Sequence, residues 1–124
     1  MPTHRNVSSV TIASGASLSD ALPLLYLTDA LPLLYLTLVG LVLPALWTTA
    51  SVSFAVSLDG TTYVPLYDES GELVITTADA SRAIRLDPAK FVGWLYVKVR
   101  SGTAGAPVNQ AGARVISTVS AEIG

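Results

Sequence analysis

The chain has 124 residues, of which 51% are hydrophobic and only 13% are charged, and its formal net charge is -2 at pH 7. This length supports one domain with one modest core, and so little charge indicates a chain that buries surface against partners or in a membrane. A net negative charge with scattered Arg and Lys residues argues against nucleic-acid binding. Without cysteine, neither a disulfide framework nor a thiolate site can form.

The N-terminal residues 1–6 read as a tail, and residues 7–124 as a single domain. His4 and Arg5 are not followed by the apolar segment of a secretory signal. Val7–Ile12 is rich in β-branched residues, which is typical of a strand, and Ser14-Gly15 then predicts a turn.

A nine-residue sequence, DALPLLYLT, occurs twice in succession at residues 20–28 and 29–37. The apolar stretch that it creates, Ala21–Leu46, is long enough to cross a bilayer. However, Pro23, Pro32 and Pro44 interrupt it, Asp29 lies inside it, and neither flank carries the basic residues that orient a membrane span. A membrane-anchored protein is therefore the weaker alternative.

The repeat length has a consequence for a β-protein, because nine is an odd number. Inserting nine residues into one strand would move every later side chain to the opposite face. We therefore expect the second copy to continue into the sheet over residues 33–43, and the first copy, residues 20–28, to be extruded as a loop or arm. Such an arm would expose four leucines to a partner chain: Leu22, Leu24, Leu25 and Leu27. The sequence leaves open whether the duplication is functional or a tolerated accident.

The rest of the chain predicts short strands separated by turns. Strands are predicted at residues 36–44, 51–57, 73–76, 81–86, 94–100 and 114–123. Residues 51–57 alternate, which predicts a strand buried on one face only. Asp59-Gly60 and Ser70-Gly71 are turn signals, Pro65 indicates an edge strand or bulge, and Asp87-Pro88 predicts one short helical turn. Together these elements predict an all-β fold, an antiparallel β-sandwich of the jelly-roll or carbohydrate-binding-module type.

Candidate chemistry is sparse. The single histidine, His4, lies in the predicted tail, so neither a Ser-His-Asp set nor a metal cluster is apparent. The carboxylates fall mainly in turns, where Asp is favoured for its backbone hydrogen bonds. The Gly-rich segment 101–113 lacks the Lys-Ser/Thr of a phosphate loop and predicts a flexible loop. We therefore predict no enzymatic activity, no cofactor and no metal.

The aromatic and basic residues near the predicted strands are the best ligand-binding candidates. They are Trp47, Tyr63, Trp94, Tyr96, Lys98 and Arg100. Exposed aromatic rings could stack on sugars, although large aromatics more often pack against small cores, which is the favoured reading for Trp47 and Trp94. Lys98 and Arg100 share one face of a predicted strand and indicate a solvated or interfacial surface.

Two runs of sequence resemble a family of small proteins encoded among the virion structural genes of tailed bacteriophages and gene transfer agents. The runs are WTTASVSFAVSLDGTT, residues 47–62, and KVRSGTAGAPVNQ, residues 98–110. The resemblance covers residues 10 to about 118 and implies a virion-associated β-sandwich in a head spike, fibre or decoration role, without catalytic residues to transfer. The additional nine residues depart from the family pattern.

These observations predict a non-enzymatic structural component of a phage-like virion. It would be assembled in the bacterial cytoplasm, with other virion proteins and further copies of itself as partners. The alternative is a carbohydrate-binding module for a polysaccharide on the host surface.

Overall fold

The computed structural model describes residues 5–26 and 34–122 and shows an all-β chain. This confirms the fold class predicted from the sequence. The strands, in chain order, are Arg5–Ile12 (β1), Leu22–Pro23 (β2), Leu25–Tyr26 (β3), Leu34–Tyr35 (β4), Thr37–Val42 (β5), Val52–Ser57 (β6), Val64–Pro65 (β7), Tyr67–Asp68 (β8), Gly71–Glu72 (β9), Ala83–Arg85 (β10), Tyr96–Ser101 (β11) and Arg114–Ala121 (β12). A 3₁₀ turn, Pro88–Lys90, is the helical element of these residues.

Eight of the strands form two four-stranded antiparallel sheets. Sheet A has the order β1-β12-β5-β10, and sheet B has the order β2-β11-β6-β7. Within these sheets the strands pair in a nested series, the first with the last (β1 with β12), then β2 with β11, β5 with β10, and β6 with β7. This nested pairing of eight strands in two sheets is the arrangement of a jelly roll.

The core lies between the two sheets and is mainly apolar, although β12 turns Thr118 and Ser120 inward beside Ile116. Inward-facing residues alternate along the strands, as Val97 and Val99 do on β11, where neither is more than 1% exposed. Phe91, which follows the 3₁₀ turn, packs edge-on against Phe54 of β6 with 4.9 Å between ring centroids. The 3₁₀ turn thus places Phe91 in the core, so a short irregular segment supplies one of the largest core side chains.

The described parts of the two nonamers form short strands that belong to the sheets or pair with each other, so the predicted extrusion of the whole first copy is wrong. The first copy supplies β2, which pairs with β11 in sheet B, and the second copy ends in β5, which belongs to sheet A. Between them, β3 of the first copy pairs with β4 of the second, and the Leu36 N–H donates to the Leu24 carbonyl oxygen at 2.8 Å. The paired strands β3 and β4 therefore lie where the chain passes from sheet B to sheet A. The odd repeat length changes the facing of neither β2 nor β5.

The burial of this segment also corrects two predicted interface residues. Leu22 is 3% exposed and Leu24 is 0% exposed, because both belong to the core. Leu27 and the side chain of Leu25 lie outside the described residues, so their predicted exposure is untested.

Strand β6 is buried on both faces, although its alternating sequence predicted one exposed face. Val52, Phe54 and Val56 point into the core, but Ser53 and Ser57 on the other face are no more than 3% exposed. The Ser53 hydroxyl donates to the Gly102 carbonyl oxygen at 2.7 Å, and the Ser57 hydroxyl accepts from the Gly60 N–H at 2.8 Å. Small hydroxyl side chains thus allow the neighbouring loops to cover the outer face of this strand.

The predicted turns are confirmed, whereas one predicted strand is wrong. Gly60 has the positive φ that its turn requires, β7 with Pro65 is an edge strand, and the Asp87 side chain accepts from the Ala89 N–H as the cap of the 3₁₀ turn. Residues 73–76 form only an isolated bridge from Ile75 to Val52. The hydrophobic pattern there reflects packing against the core instead of a sheet.

The segment 101–113, predicted to be a flexible loop, makes specific backbone and side-chain contacts. Gly102 has φ +88°, and a Cβ atom there would lie 2.6 Å from the Ala106 carbonyl oxygen. The buried Gln110 side chain bonds to Thr48 and Ser101. Glycine is therefore needed at position 102, where the backbone comes close to the backbone at Ala106.

No helix within residues 5–26 and 34–122 is both long and apolar enough to cross a membrane.

Candidate functional site

The outer face of sheet A is nearly uncharged, and we name its exposed apolar residues the valine face: Val7, Val42 and Val115. These side chains are 63%, 43% and 54% exposed. They alternate with the inward residues of β1, β5 and β12, and the positions between them on the outer face carry small residues and the half-buried Val119, which lies opposite Val7. Arg5 and Arg85 lie on the two edge strands of this face. A flat sheet face of small and β-branched residues is suited to packing against another protein surface.

The outer face of sheet B brings together three of the predicted ligand-binding residues. The Lys98 ammonium lies 4.4 Å from the centroid of the Tyr63 ring, as in a cation–π contact. Tyr96, two residues before Lys98 on β11, has its ring over Gly60, where an added Cβ atom would lie 3.3 Å away. Partial burial raises the pKa of the Tyr63 phenol above its usual value, so this group stays neutral. The Tyr63 ring is thus engaged by Lys98, and the Tyr96 ring is packed against the turn at Gly60.

Arg100 is a structural residue instead of the solvated one that its spacing predicted. Its guanidinium Nη1 lies 3.5 Å from Glu72 Oε2, and the two side chains are only 12% and 15% exposed. The same carboxylate oxygen accepts from the Ala104 N–H at 2.9 Å. Glu72 therefore joins strand β9 to β11 through Arg100 and to the segment after β11 through Ala104, and the charge of Arg100 is already compensated.

The two tryptophans lie in different places. Trp47 is 6% exposed, and its indole N–H donates to the Ala50 carbonyl oxygen at 3.2 Å. A ring so placed cannot stack on a ligand, which supports the reading of Trp47 as a core residue. Trp94 is half-buried and packs against the core with one part while lining a surface cleft with another.

This cleft was missed in the sequence because its residues come from two segments that are distant in sequence. It has a volume of ≈ 380 Å³ and lies between the β8–β9 hairpin and the 3₁₀ turn. Tyr67, 61% exposed, and Trp94 contribute rings, and the charged residues of the lining are Asp68, Glu69, Asp87 and Lys90. Rings beside carboxylates offer both a stacking surface and hydrogen-bond acceptors.

One ion pair holds the two walls of the cleft together. Lys90 Nζ lies 3.0 Å from Asp68 Oδ2, and the Ser70 N–H donates to Asp68 Oδ1 at 2.7 Å. The Ser70 N–H, and then Lys90, lower the pKa of Asp68, and Asp68 raises the pKa of Lys90. Both groups are therefore charged at neutral pH and position the 3₁₀ turn against the hairpin.

Asp59 has a comparable structural role in the turn between β6 and β7. Its carboxylate accepts from the N–H groups of Thr62 at 2.9 Å and Thr61 at 2.8 Å, and from the Ser57 hydroxyl at 2.9 Å. These bonds lower the pKa of Asp59. A carboxylate that accepts so many bonds within its own turn stabilises the turn and is poorly available for proton transfer.

Among the residues that the structure describes, no three His, Cys, Asp or Glu side chains are grouped so that they could hold a metal ion.

No family model, no curated protein and no solved structure matches this chain. Function must therefore be argued from the surfaces described above.

Proposed function

We propose that the chain is a non-enzymatic structural subunit of a phage or phage-like virion, a head spike, fibre or decoration protein that acts through assembly with other virion proteins. The observation that carries the proposal is the valine face, where three exposed valines lie on a sheet surface whose central strands present no charged side chain outward. Burying such a face against protein is favourable, at roughly 25 cal/mol per Å² of apolar area.

The fold and the sequence resemblance support the same proposal. Double-sheet jelly rolls are common in viral capsid proteins, and they also occur in lectins, so the fold alone does not select a function. The resemblance to small virion proteins covers residues 47–62 and 98–110, which here include β6, β11 and the Gly102 loop. These segments contribute to the two central strands of sheet B and contain the loop at Gly102, so the resemblance falls on the framework of the domain.

The experiment is quantitative proteomics of particles purified by density gradient from a bacterium producing them. We expect the chain in the particle fraction at the copy number of a repeated component. Val115→Lys should abolish incorporation without lowering the melting temperature, while the control Val64→Lys, at a 52% exposed position in sheet B, should incorporate normally. Absence of the wild-type chain from particles, or equal incorporation of both variants, would refute the proposal.

The cleft beside Trp94 favours a second candidate function, recognition of a carbohydrate. Two rings and several carboxylates line an open cleft large enough for a sugar ring, and aromatic stacking with acceptors is a common basis of carbohydrate binding. On a glycan array, Tyr67→Ala and Trp94→Ala should both lose binding with the fold retained. The control Tyr63→Ala, outside the cleft, should bind as wild type, and absence of any wild-type binding would exclude this function.

A further inference from the structure

The four edge strands of the two sheets differ in how they are protected. An exposed edge presents unpaired N–H and C=O groups, and proteins shield such edges with proline, charge or short length. In sheet B, edge strand β2 contains Pro23 and edge strand β7 contains Pro65. In sheet A, edge strand β10 is three residues long and ends in Arg85. Each of these three edges is therefore a poor template for another strand.

The remaining edge strand, β1, is protected by neither proline nor short length, and its one charged residue, Arg5, is its first. It is eight residues long and contains neither proline nor lysine. Its register with β12 is continuous from Arg5, opposite Ala121, to Ile12, opposite Arg114, without a bulge. A long, regular edge of this kind is suited to pairing with a further strand.

The contacts of Thr11 show which residues of β1 face the open edge. Its N–H donates to Asp20 Oδ1 at 2.8 Å, and its carbonyl oxygen accepts from the Asp20 N–H at 3.2 Å. Because these partners lie on the side away from β12, and because backbone groups alternate in direction along a strand, the odd-numbered residues point outward. Asp20 closes the edge at Thr11, and within the described residues the backbone groups of Arg5, Val7 and Ser9 have no partner.

We propose that β1 pairs with β1 of a second copy of this chain, antiparallel, across a twofold axis at Val7. This register places Val7 opposite Val7 of the second copy and Arg5 opposite its Ser9. Among registers confined to the part of β1 that the structure describes, this one engages all three open residues, because shifting the axis toward Ser9 would require Thr11, which Asp20 already occupies. The pairing forms two backbone hydrogen bonds for each of the three residue pairs.

The side chains are compatible with this register. The two Val7 side chains form a β-branched cross-strand pair, which is favourable, and Val7 is 63% exposed in the single chain. Each Arg5 meets a serine, so no like charges are opposed. The two copies of sheet A would form one eight-stranded sheet, and their valine faces would become one continuous surface. A second copy fits this edge because its own β1 offers the same three open residues, and in antiparallel order each of them meets a partner without opposing like charges.

This inference deepens the proposed function by naming one partner and its surface, and the two can fail separately. A monomeric chain found in particles would overturn the pairing alone, and a dimeric chain absent from particles would overturn the virion role alone.

The test uses the full chain, which has no native cysteine. In a hydrogen-bonded antiparallel pair the facing Cα atoms lie about 5.5 Å apart, which suits a disulfide. Val7→Cys should therefore oxidise to a covalent dimer on a non-reducing gel. The control Val115→Cys is 54% exposed on the same face but lies on an inner strand, so it should form no crosslink and run as a monomer on that gel. Failure of Val7→Cys to crosslink more than Val115→Cys would overturn the proposal.

A pair of proline variants separates the edge from the fold, with light scattering coupled to size exclusion as the readout. Wild type should have the mass of a dimer. Ser9→Pro removes an N–H that faces the open edge, so it should give a folded monomer. Ser8→Pro removes an N–H that faces β12, so it should lower the melting temperature. A monomeric wild type, or a dimer that persists in Ser9→Pro, contradicts the pairing, and the cysteine test still decides if Ser9→Pro does not fold.

Discussion

Removal of one nonamer should leave the fold and its stability almost unchanged. Leu36 follows Leu24 by twelve positions, and the Leu36 N–H bonds to the Leu24 carbonyl oxygen. Deleting residues 27–35 restores a single DALPLLYLT and leaves Leu36 three positions after Leu24. A hydrogen bond from a carbonyl to the N–H three residues later closes a β-turn. The bond at the base of the hairpin can therefore become the closing bond of a turn centred on Leu25 and Tyr26.

The expected change in the free energy of unfolding is small because two effects oppose each other. The segment between Leu24 and Leu36 shortens from eleven residues to two, which is between two and three halvings, and each halving favours loop closure by about 0.6 kcal/mol. Against this, the cross-strand pairs between β3 and β4 are lost, at roughly 0.2–1 kcal/mol each. The net change should lie within about 1 kcal/mol, or a shift of about 5 °C in melting temperature.

A matched deletion should behave very differently. Removing residues 25–35 joins Leu24 directly to Leu36, so the two residues can no longer bond to each other. Because both leucines are buried, at 0% and 3% exposure, one must leave the core, at a cost of roughly 2–5 kcal/mol. Urea denaturation followed by circular dichroism compares the two deletions with wild type. Equal destabilisation by the nine- and eleven-residue deletions would refute the hairpin account.

Three other changes test the packing and the electrostatics. Gln110→Ala removes the side chain that bonds to Thr48, Ser101 and Arg114, so unfolding should become easier by about 3 kcal/mol or more, since several buried groups lose partners; a loss below about 1 kcal/mol would contradict this. Thr118→Val should stabilise the chain by about 1 kcal/mol, because the Thr118 hydroxyl is buried without a partner among the described residues; Ser53→Ala, which loses the bond to Gly102, is the control and should destabilise. The pKa values of Asp59 and Asp68 are lowered in the fold, so both carboxylates stabilise it above their ordinary pKa of 3.8, and this contribution is lost as the pH falls through the lower folded values. In the double variant Asp59→Asn, Asp68→Asn, the free energy of unfolding should therefore fall less steeply as the pH is lowered. An unchanged dependence on acidic pH would count against these bonds.

Local signals in the sequence predicted most of the strands and turns. β-Branched residues identified β1, and alternation of apolar side chains identified β11, because both signals depend only on residues within each strand. Asp59-Gly60 and Asp87-Pro88 were recognisable for the same reason, since the side chain or φ requirement that makes each turn is contained in it.

The candidate surfaces were less predictable because they depend on which elements meet. The cleft joins Tyr67 to Lys90 and Trp94, which lie on two segments distant in sequence that the ion pair between Lys90 and Asp68 connects. Arg100 was read as solvated because Glu72, its partner, is distant in sequence. Gln110 was not singled out at all, since nothing local distinguishes a buried glutamine from an exposed one.

The sequence by itself determined that this is a β-protein of short antiparallel strands, because the period of a strand and the chemistry of a turn are local properties of the chain. Only the tertiary structure decided the nested strand order, the burial of both faces of β6 and the fate of the repeat. Each of these depends on contacts between residues far apart in sequence, and the repeat shows this most directly. Two identical nonamers take different places because β2 is fixed by pairing with β11 in sheet B and β5 by pairing with β12 in sheet A. The extra length is accommodated between these strands, where β3 pairs with β4.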